Sequence, residues 1–488
     1  MKKILLFALF SMYALSISNA QNFKASIDYN TYCTDQLIPY IEFSFIIGGK
    51  SVKYVEQKEN QYLAEVELSV IVEQNNATID SFTYIIASDI YTDTLLENRL
   101  DFADKFNYKI NNGEYILYFS IRDLNNPLGF VKYIDNINID FPNDKVSASG
   151  ITLLNFIESA KGGEFFAKHG YNIPPLFGNF YNKSMNILSF FMEIYNTEDI
   201  LGIGKTFHIE SRVVSAENNW IDLPKIGRKG SFPSKPVSII LQELDISRLP
   251  SGNYHLVVDV FAPDGTLLTS KYTFFQRSNP AIELDISSYE NNATPNTFAA
   301  QYSDLKILQG YVACLYPIGT TLEQNFFDKK MTIVSIDQLQ SFFYTFWNKR
   351  SPNSPEKAWL EYYEKVKYVQ NVYGSKLQKG YRTDRGRVYL KYGAPNSITE
   401  SPFTASLHPY EVWHYYHTEG ESNVKFIFYN TDLVSNEYEL LHSTKRGEIR
   451  DPAWQLRLMK GHIPQSNFDL TRPENFWGND MDDNWRNP

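Results

Sequence analysis

Between Phe23 and about Phe141 the chain is built from short runs in which apolar and polar residues alternate, separated by clusters of Gly, Asn and Asp. Tyr40–Ile47, Tyr62–Val72, Ser81–Ala87 and Glu114–Arg122 read as strands, by alternation or as continuous apolar runs. Strands this short and this regularly punctuated pack as a β-sandwich. The stretch up to about Arg277 repeats the design. Ile110–Ile121 lies against Leu249–Val260: each has a turn glycine (Gly113, Gly252) two residues before a tyrosine (Tyr115, Tyr254), then a strand and a polar turn. From position 113 to position 252 the spacing is 139, a domain-sized period. Two unrelated hairpins can also share Gly-x-Tyr before a strand. The pattern predicts two tandem all-β, immunoglobulin-like sandwiches at 21–142 and 143–278.

After Pro280 the period becomes helical. Ser335 can cap a helix from Ile336 to about Trp347, with Leu339, Phe342, Phe343, Phe346 and Trp347 along one side. A second helix starts with Ser354 as cap and Pro355 at its first position. Trp359, Tyr362, Tyr363, Val366, Val369 and Tyr373 recur at helical spacing until Gly374 ends it. Four strand signals follow, at Arg387–Tyr392, Tyr410–Tyr416, Val424–Tyr429 and Glu437–His442. Residues 279–460 are thus expected to form an α+β unit, helices first and an antiparallel meander after. From 461 to 488 the chain is polar, broken by Pro464, Pro473, Gly478 and Pro488, and carries Asp480, Asp482 and Asp483; it reads as a flexible acidic and aromatic tail.

The two ends of the composition narrow the function. With 46 basic and 56 acidic residues the net charge is −10, and no stretch clusters Lys and Arg as a nucleic-acid groove requires. Lys2 and Lys3 precede an uncharged run from Ile4 to Ile17, and Ser18-Asn19-Ala20 places small residues where signal peptidase reads them. Residues 1–20 therefore read as a signal peptide cleaved after Ala20. No later segment has the roughly 20 apolar residues of a transmembrane span. Cys33 and Cys314 are the only cysteines, and their distance along the chain favours two buried thiols over a disulfide.

Gly380-Tyr381-Arg382-Thr383-Asp384-Arg385-Gly386, continuing to Tyr392-Gly393-Ala394-Pro395, resembles the signature of the GWxTD-domain family of bacterial envelope proteins. Upstream, Phe346-Trp347-Asn348-Lys349-Arg350-Ser351-Pro352 is similar to the family's FWxxRDP element. Downstream, Glu411, Trp413 and Tyr415, then Phe426-Ile427-Phe428 and Leu441-His442-Ser443, match in order. Tyr381 stands where the naming Trp would be, and Ser351 replaces an Asp. The resemblance covers roughly 281–460 and implies a cell-envelope location in Bacteroidota-type bacteria, with sandwich regions ahead of the domain; it implies no reaction. The order of helix, Tyr-Gly-x-Pro and aromatic strands is also similar to small scaffolding lipoproteins of outer-membrane assembly, a likeness of fold.

Two readings compete for the signature. In one, Asp384 is an acid or base and Arg385 an anion clamp at the mouth of a strand beginning near Arg387. In the other, Asp384 caps the turn, Gly386 supplies its backbone angle and Arg385 pairs with Glu411, which shares a strand face with Trp413 and Tyr415. His408, His414, His417 and His442 lack a metal-binding spacing, and no cofactor is called for. The residues expected to matter are Gly380, Tyr381, Thr383, Asp384, Arg385, Gly386, Gly393, Pro395, Glu411, Trp413, Tyr415, Phe346, Trp347 and Arg350. The expected function is that of a non-catalytic, exported scaffold that binds envelope proteins in the periplasm or at the outer membrane. The alternatives are an envelope-polymer enzyme using Asp384, Arg385 and Glu411, and a glycan-binding protein with exposed aromatics on a sandwich face.

Overall fold

The computed structural model describes residues 23–75, 77–126, 129–217, 222–284, 297–402, 407–432, 437–459 and 481–486; the signal-peptide segment and most of 461–488 lie outside them. The alternating strands of the first unit close into two antiparallel sheets. One has the order Ala25–Cys33, Pro39–Ile47, Phe102–Lys109; the other Ala77–Ala87, Glu65–Gln74, Gly113–Asp123, Phe130–Ile139. Ile41, Phe43 and Phe45 of one sheet meet Val66, Leu68, Val70 and Val72 of the other, all fully buried. Burying each such side chain contributes about 1.5–3 kcal/mol.

The second unit has the same two-layer plan. Ile187–Tyr195 pairs with Val237–Asp245 and two short strands, and faces a sheet centred on Thr206–Ser215, Gly252–Phe261 and Leu267–Arg277. The two glycine–tyrosine stretches adopt one device at both sites. Tyr115 Oη donates to the carbonyl of Asn111 and Tyr254 Oη to that of Pro250, each at 3.1 Å and four residues upstream. Each ring lies over its glycine, where a Cβ would come within 3.2 Å of the Tyr115 hydroxyl or 3.1 Å of the Tyr254 hydroxyl. This is the tyrosine corner of immunoglobulin-like sandwiches.

The third unit begins with helices Leu305–Ala313, Thr321–Lys329, Ile336–Arg350 and Pro355–Tyr373 around Phe342, Phe343, Phe346, Trp347 and Trp359. Ser335 and Gln338 form a capping box, which fixes the start of the third helix as the sequence predicts. A shorter helix, Asp384–Tyr392, then leads to a meander of Ser397–Ser401, Tyr410–Thr418, Glu421–Tyr429 and Glu439–Ser443. The strand expected at Arg387–Tyr392 is therefore a helix, and the first meander strand lies after it. Val388, Leu390 and Tyr392 mimic strand alternation, but Thr383 Oγ1 accepts the Gly386 N–H at 3.1 Å and nucleates a helical turn instead. Gly393, at φ 84°, ends it.

The meander is covered on both faces. Val388, Trp413, Phe426 and Phe428 pack between it and the short helix, while Trp454, Leu458, Met481 and Trp485 cover its back with Tyr410, Val412 and Ile427. The expectation of a loose tail does not hold for Met481–Arg486, a short helix whose Met481 and Trp485 are buried. The apolar residues at its two ends find the back of the sheet, which no polar-tail composition signals. The units also touch one another. Lys132 N donates to the Pro452 carbonyl at 3.0 Å, and Glu217 of the second sandwich accepts from Thr321 N and Oγ1, both at 3.0 Å, at the start of a third-unit helix. Cys33 and Cys314 are both free and buried. No described helix is long and apolar enough to cross a membrane.

Candidate functional site

The signature begins as a one-turn 3-10 helix, Gly380–Arg382, pressed against the end of the long helix Pro355–Tyr373. Gly380 N donates to Gln370 Oε1 at 2.8 Å, and the Thr383 hydroxyl donates to the Gly380 carbonyl at 2.8 Å. The approach is too close for side chains. A Cβ on Gly380 would lie 2.4 Å from the Val369 carbonyl oxygen, and one on Gly386 would lie 1.9 Å from the Gly380 carbonyl oxygen. Gly386 thus serves by its size, while the unusual backbone angle belongs to Gly393.

Asp384 and Arg385 leave this turn in different directions. Asp384 Oδ2 accepts the backbone N–H of Leu440 at 2.7 Å, tying the helix start to the last meander strand. Its charge also sits at the positive end of the helix dipole. Arg385 points inward. Its Nη1 is 2.7 Å from Glu411 Oε1, with 7% and 11% of the two side chains exposed. The guanidinium lies 4.3 Å from the ring centre of Tyr438 and 5.1 Å from that of Tyr373. The other Glu411 oxygen accepts Trp413 Nε1–H at 3.0 Å, and Tyr415 Oη reaches the Gly393 carbonyl at 2.9 Å. Arg385, Glu411 and Trp413 therefore form one interior network joining helix to sheet, and Tyr415 separately ties the same strand to the helix end through Gly393.

Residues 285–455 match the family model described as the GWxTD domain.

The third unit of the chain is a GWxTD domain.

No curated protein matches the chain. Similar solved structures include red sea bream transglutaminase, at 8% identity and a TM-score of 0.18 over 52% of this chain and 31% of that one. The fibronectin(III)-like modules of Clostridium thermocellum CbhA are 11% identical, with a TM-score of 0.15 over 50% of this chain and 89% of theirs. A glycosyl hydrolase family 2 member from Bacteroides cellulosilyticus is 9% identical, with a TM-score of 0.17 over 48% of this chain and 28% of that one. The chain thus spans about a third of the transglutaminase's length.

The rest of the GWxTD pattern is also built into the interior. Tyr381, at the position of the naming Trp, packs against the helical core. Phe346 and Trp347 lie within that core, and Arg350 holds Glu323 in a two-point ion pair, at 2.7 and 3.2 Å, with its guanidinium 3.5 Å over the Phe346 ring. Glu323 itself completes the capping box of Thr321–Lys329, so Arg350 secures the neighbouring helix. Pro395 lies in the link between the short helix and the meander.

One further residue of this network gave no signal in the sequence. Glu448, in the loop after the meander, takes Arg387 Nη2 at 2.7 Å, Lys391 Nζ at 2.8 Å and Tyr392 Oη at 2.7 Å. Burial alone would raise its carboxyl, but Lys391 and Arg387 hold it far below the usual carboxylate range. Of the histidines, His417 Nδ1 meets Ser422 Oγ at 2.8 Å and His442 is buried between Trp454 and Trp485.

A cavity of about 470 Å³ lies elsewhere, between the outer face of the first sandwich and the back of the GWxTD meander. Its floor is the sheet carrying Ser69, Ser120 and Tyr118; its wall is formed by His442, Trp454, Trp485 and Arg450. A second cavity of about 30 Å³, no larger than a water site, lies among Asp28, Glu42 and Lys168 where the two sandwiches meet. Asp384, Arg385 and Glu411 line neither of these two cavities.

Proposed function

We propose that the protein is an exported, non-catalytic scaffold of the bacterial cell envelope, in which two sandwich modules present the GWxTD domain to partner proteins in the periplasm or at the outer membrane. One observation carries the reading. Every charged signature side chain that an enzyme of this type would need is engaged in holding elements together: Asp384 on a strand N–H, Arg385 and Glu411 on each other inside the core. A catalytic acid or anion clamp must reach substrate. Arg385 and Glu411 instead face packed aromatics, and Asp384, though about a third exposed, has one oxygen committed to the strand N–H. Export is supported by the charged, apolar and small-residue order of residues 1–20. A surface suited to partners is the outer strand Ala77–Ala87 of the first sandwich, which pairs on one side only and exposes Ile79 and Ile85.

The scaffold and enzyme readings separate on Asp384→Asn. The amide oxygen can still accept the Leu440 N–H, but the side chain can no longer transfer a proton. In a deletion strain scored for envelope integrity, the scaffold reading predicts that this variant restores growth on detergent as the parent does, and that the mature chain in the envelope fraction begins at Gln21. A variant that folds and reaches the envelope yet fails to complement would overturn the reading.

A further inference from the structure

We propose that the cavity between the first sandwich and the back of the GWxTD meander is a binding site for an acidic oligosaccharide. At about 470 Å³ it falls within the usual range for small-ligand sites. Its composition argues for the ligand class.

The floor is ordered by strand register. Thr83, Ser69, Ser120 and Lys132 lie opposite one another across four strands and form a polar row. On one side runs a row with Glu67 and Arg122, on the other a row with Ile71 and Tyr118. Ser69 Oγ and Thr83 Oγ1 share a hydrogen bond of 2.9 Å, and each hydroxyl keeps further capacity to give or accept another. A line of small hydroxyls beside an aromatic ring matches a sugar ring, with hydroxyls at its edge and apolar C–H groups on its faces.

The wall supplies the rest of that chemistry. Trp454 and Trp485 stand 5.3 Å apart between ring centres and bracket His442. His442 is 5% exposed, lines the cavity, and its Nδ1 has no hydrogen-bond partner. Burial first, and Arg450 second, push the ring down to about 3 against a hydrogen bond to the Asp451 backbone, so near neutral pH the ring is uncharged and Nδ1 can pair with a ligand hydroxyl, which both gives and accepts. A buried nitrogen left this way is costly, and a ligand hydroxyl would offset that cost.

Charge selects within the sugars. Arg122, Lys132 and Arg450 line the cavity with a single carboxylate, Glu67, which pairs with Arg122 at 2.7 Å. The whole chain carries −10, so this local positive excess opposes the molecule's overall sign and favours an anionic ligand. Strand addition by a peptide is confined to the rim of the cavity, where Ala77–Ala87 and Phe130–Ile139 are the outer strands. The central floor strands, Glu65–Gln74 and Gly113–Asp123, are each paired on both sides, so they present no free backbone edge for strand addition.

The site is independent of whether the protein is a scaffold. It is tested by titration calorimetry of the mature chain with tetramers of galacturonate, glucuronate and mannuronate, beside neutral galactose tetramer and a poly-glutamate peptide. The expected result is micromolar-to-millimolar binding of at least one uronate, at least tenfold tighter than the neutral sugar and weakened by salt. Arg450→Ala and Ser120→Leu should each weaken it at least tenfold, with melting curves checked to show that both variants remain folded. Absence of binding to all three uronates, equal binding by folded variants and parent, or binding of poly-glutamate in preference to every uronate would each overturn the proposal.

Discussion

Arg385 and Glu411 show what the signature does at the level of single side chains. Each is nearly buried, and at 2.7 Å their attraction works against the cost of removing two charges from water. Truncating either one leaves the other unpaired inside the domain, at a cost of about 3–5 kcal/mol. The two glycines of the motif act differently. Gly386→Ala puts a methyl 1.9 Å from a backbone oxygen, where nothing flexible can yield. Gly393→Ala meets no atom within 4 Å but must adopt φ 84°, a strain of about 1–3 kcal/mol. Urea denaturation should therefore rank Gly386→Ala as the more damaging, and the reverse order would mean that the turn can open. The partner of Arg385 was legible because opposite charges flanked by aromatics on a strand face are a recurrent core device. Glu448 was not, since its three partners sit 56 to 61 positions away and no local pattern ties them to it.

The short helix Asp384–Tyr392 is the element on which the GWxTD domain turns. It reaches Leu440 N and Glu411 from its first turn and Glu448 from its last. Its misreading as a strand has a physical cause. Five residues of Val-x-Leu-x-Tyr satisfy either period, and the deciding feature is the Thr383 hydroxyl capping Gly386 N. Fixing the helix end through Glu448 makes acid stability depend on that carboxylate. Its folded value is depressed by Lys391 and Arg387, so it contributes stability in full above the unfolded carboxylate value of about 4.5 and loses it as the pH falls below that. Glu448→Gln should melt lower than the parent at pH 7, with the gap closing towards pH 2. A gap independent of pH would show that the charge is not what binds the helix.

At the scale of the whole molecule, the repeat of Gly-x-Tyr at 113 and 252 disclosed two like sandwiches because one local hydrogen bond builds both corners. The contacts between units were not legible, for they depend on isolated residues such as Glu217, Lys132 and Trp485 that follow no period. One of these contacts carries a pH dependence of the opposite sign. Asp28 faces Glu42, Lys105 and Lys168 in the small cavity between the sandwiches, and burial, then Glu42, push its carboxyl up to about 7. The folded chain thus holds this proton more tightly than the unfolded one, so stability declines as pH rises from about 4 to about 7. Asp28→Asn should raise the melting temperature at pH 8 and leave it nearly unchanged at pH 4; equal melting at pH 8 would remove the linkage. If the GWxTD signature is a folding device, calorimetric melting of the mature protein beside Arg385→Ala, Glu411→Ala and the double variant will register it. Each single variant should clearly lower the transition of the third unit, and the double variant should lose less than the two singles together. Variants that melt with the parent or above it would mean that the pair is held at a stability cost, and would return Arg385 and Glu411 to the list of ligand-binding residues.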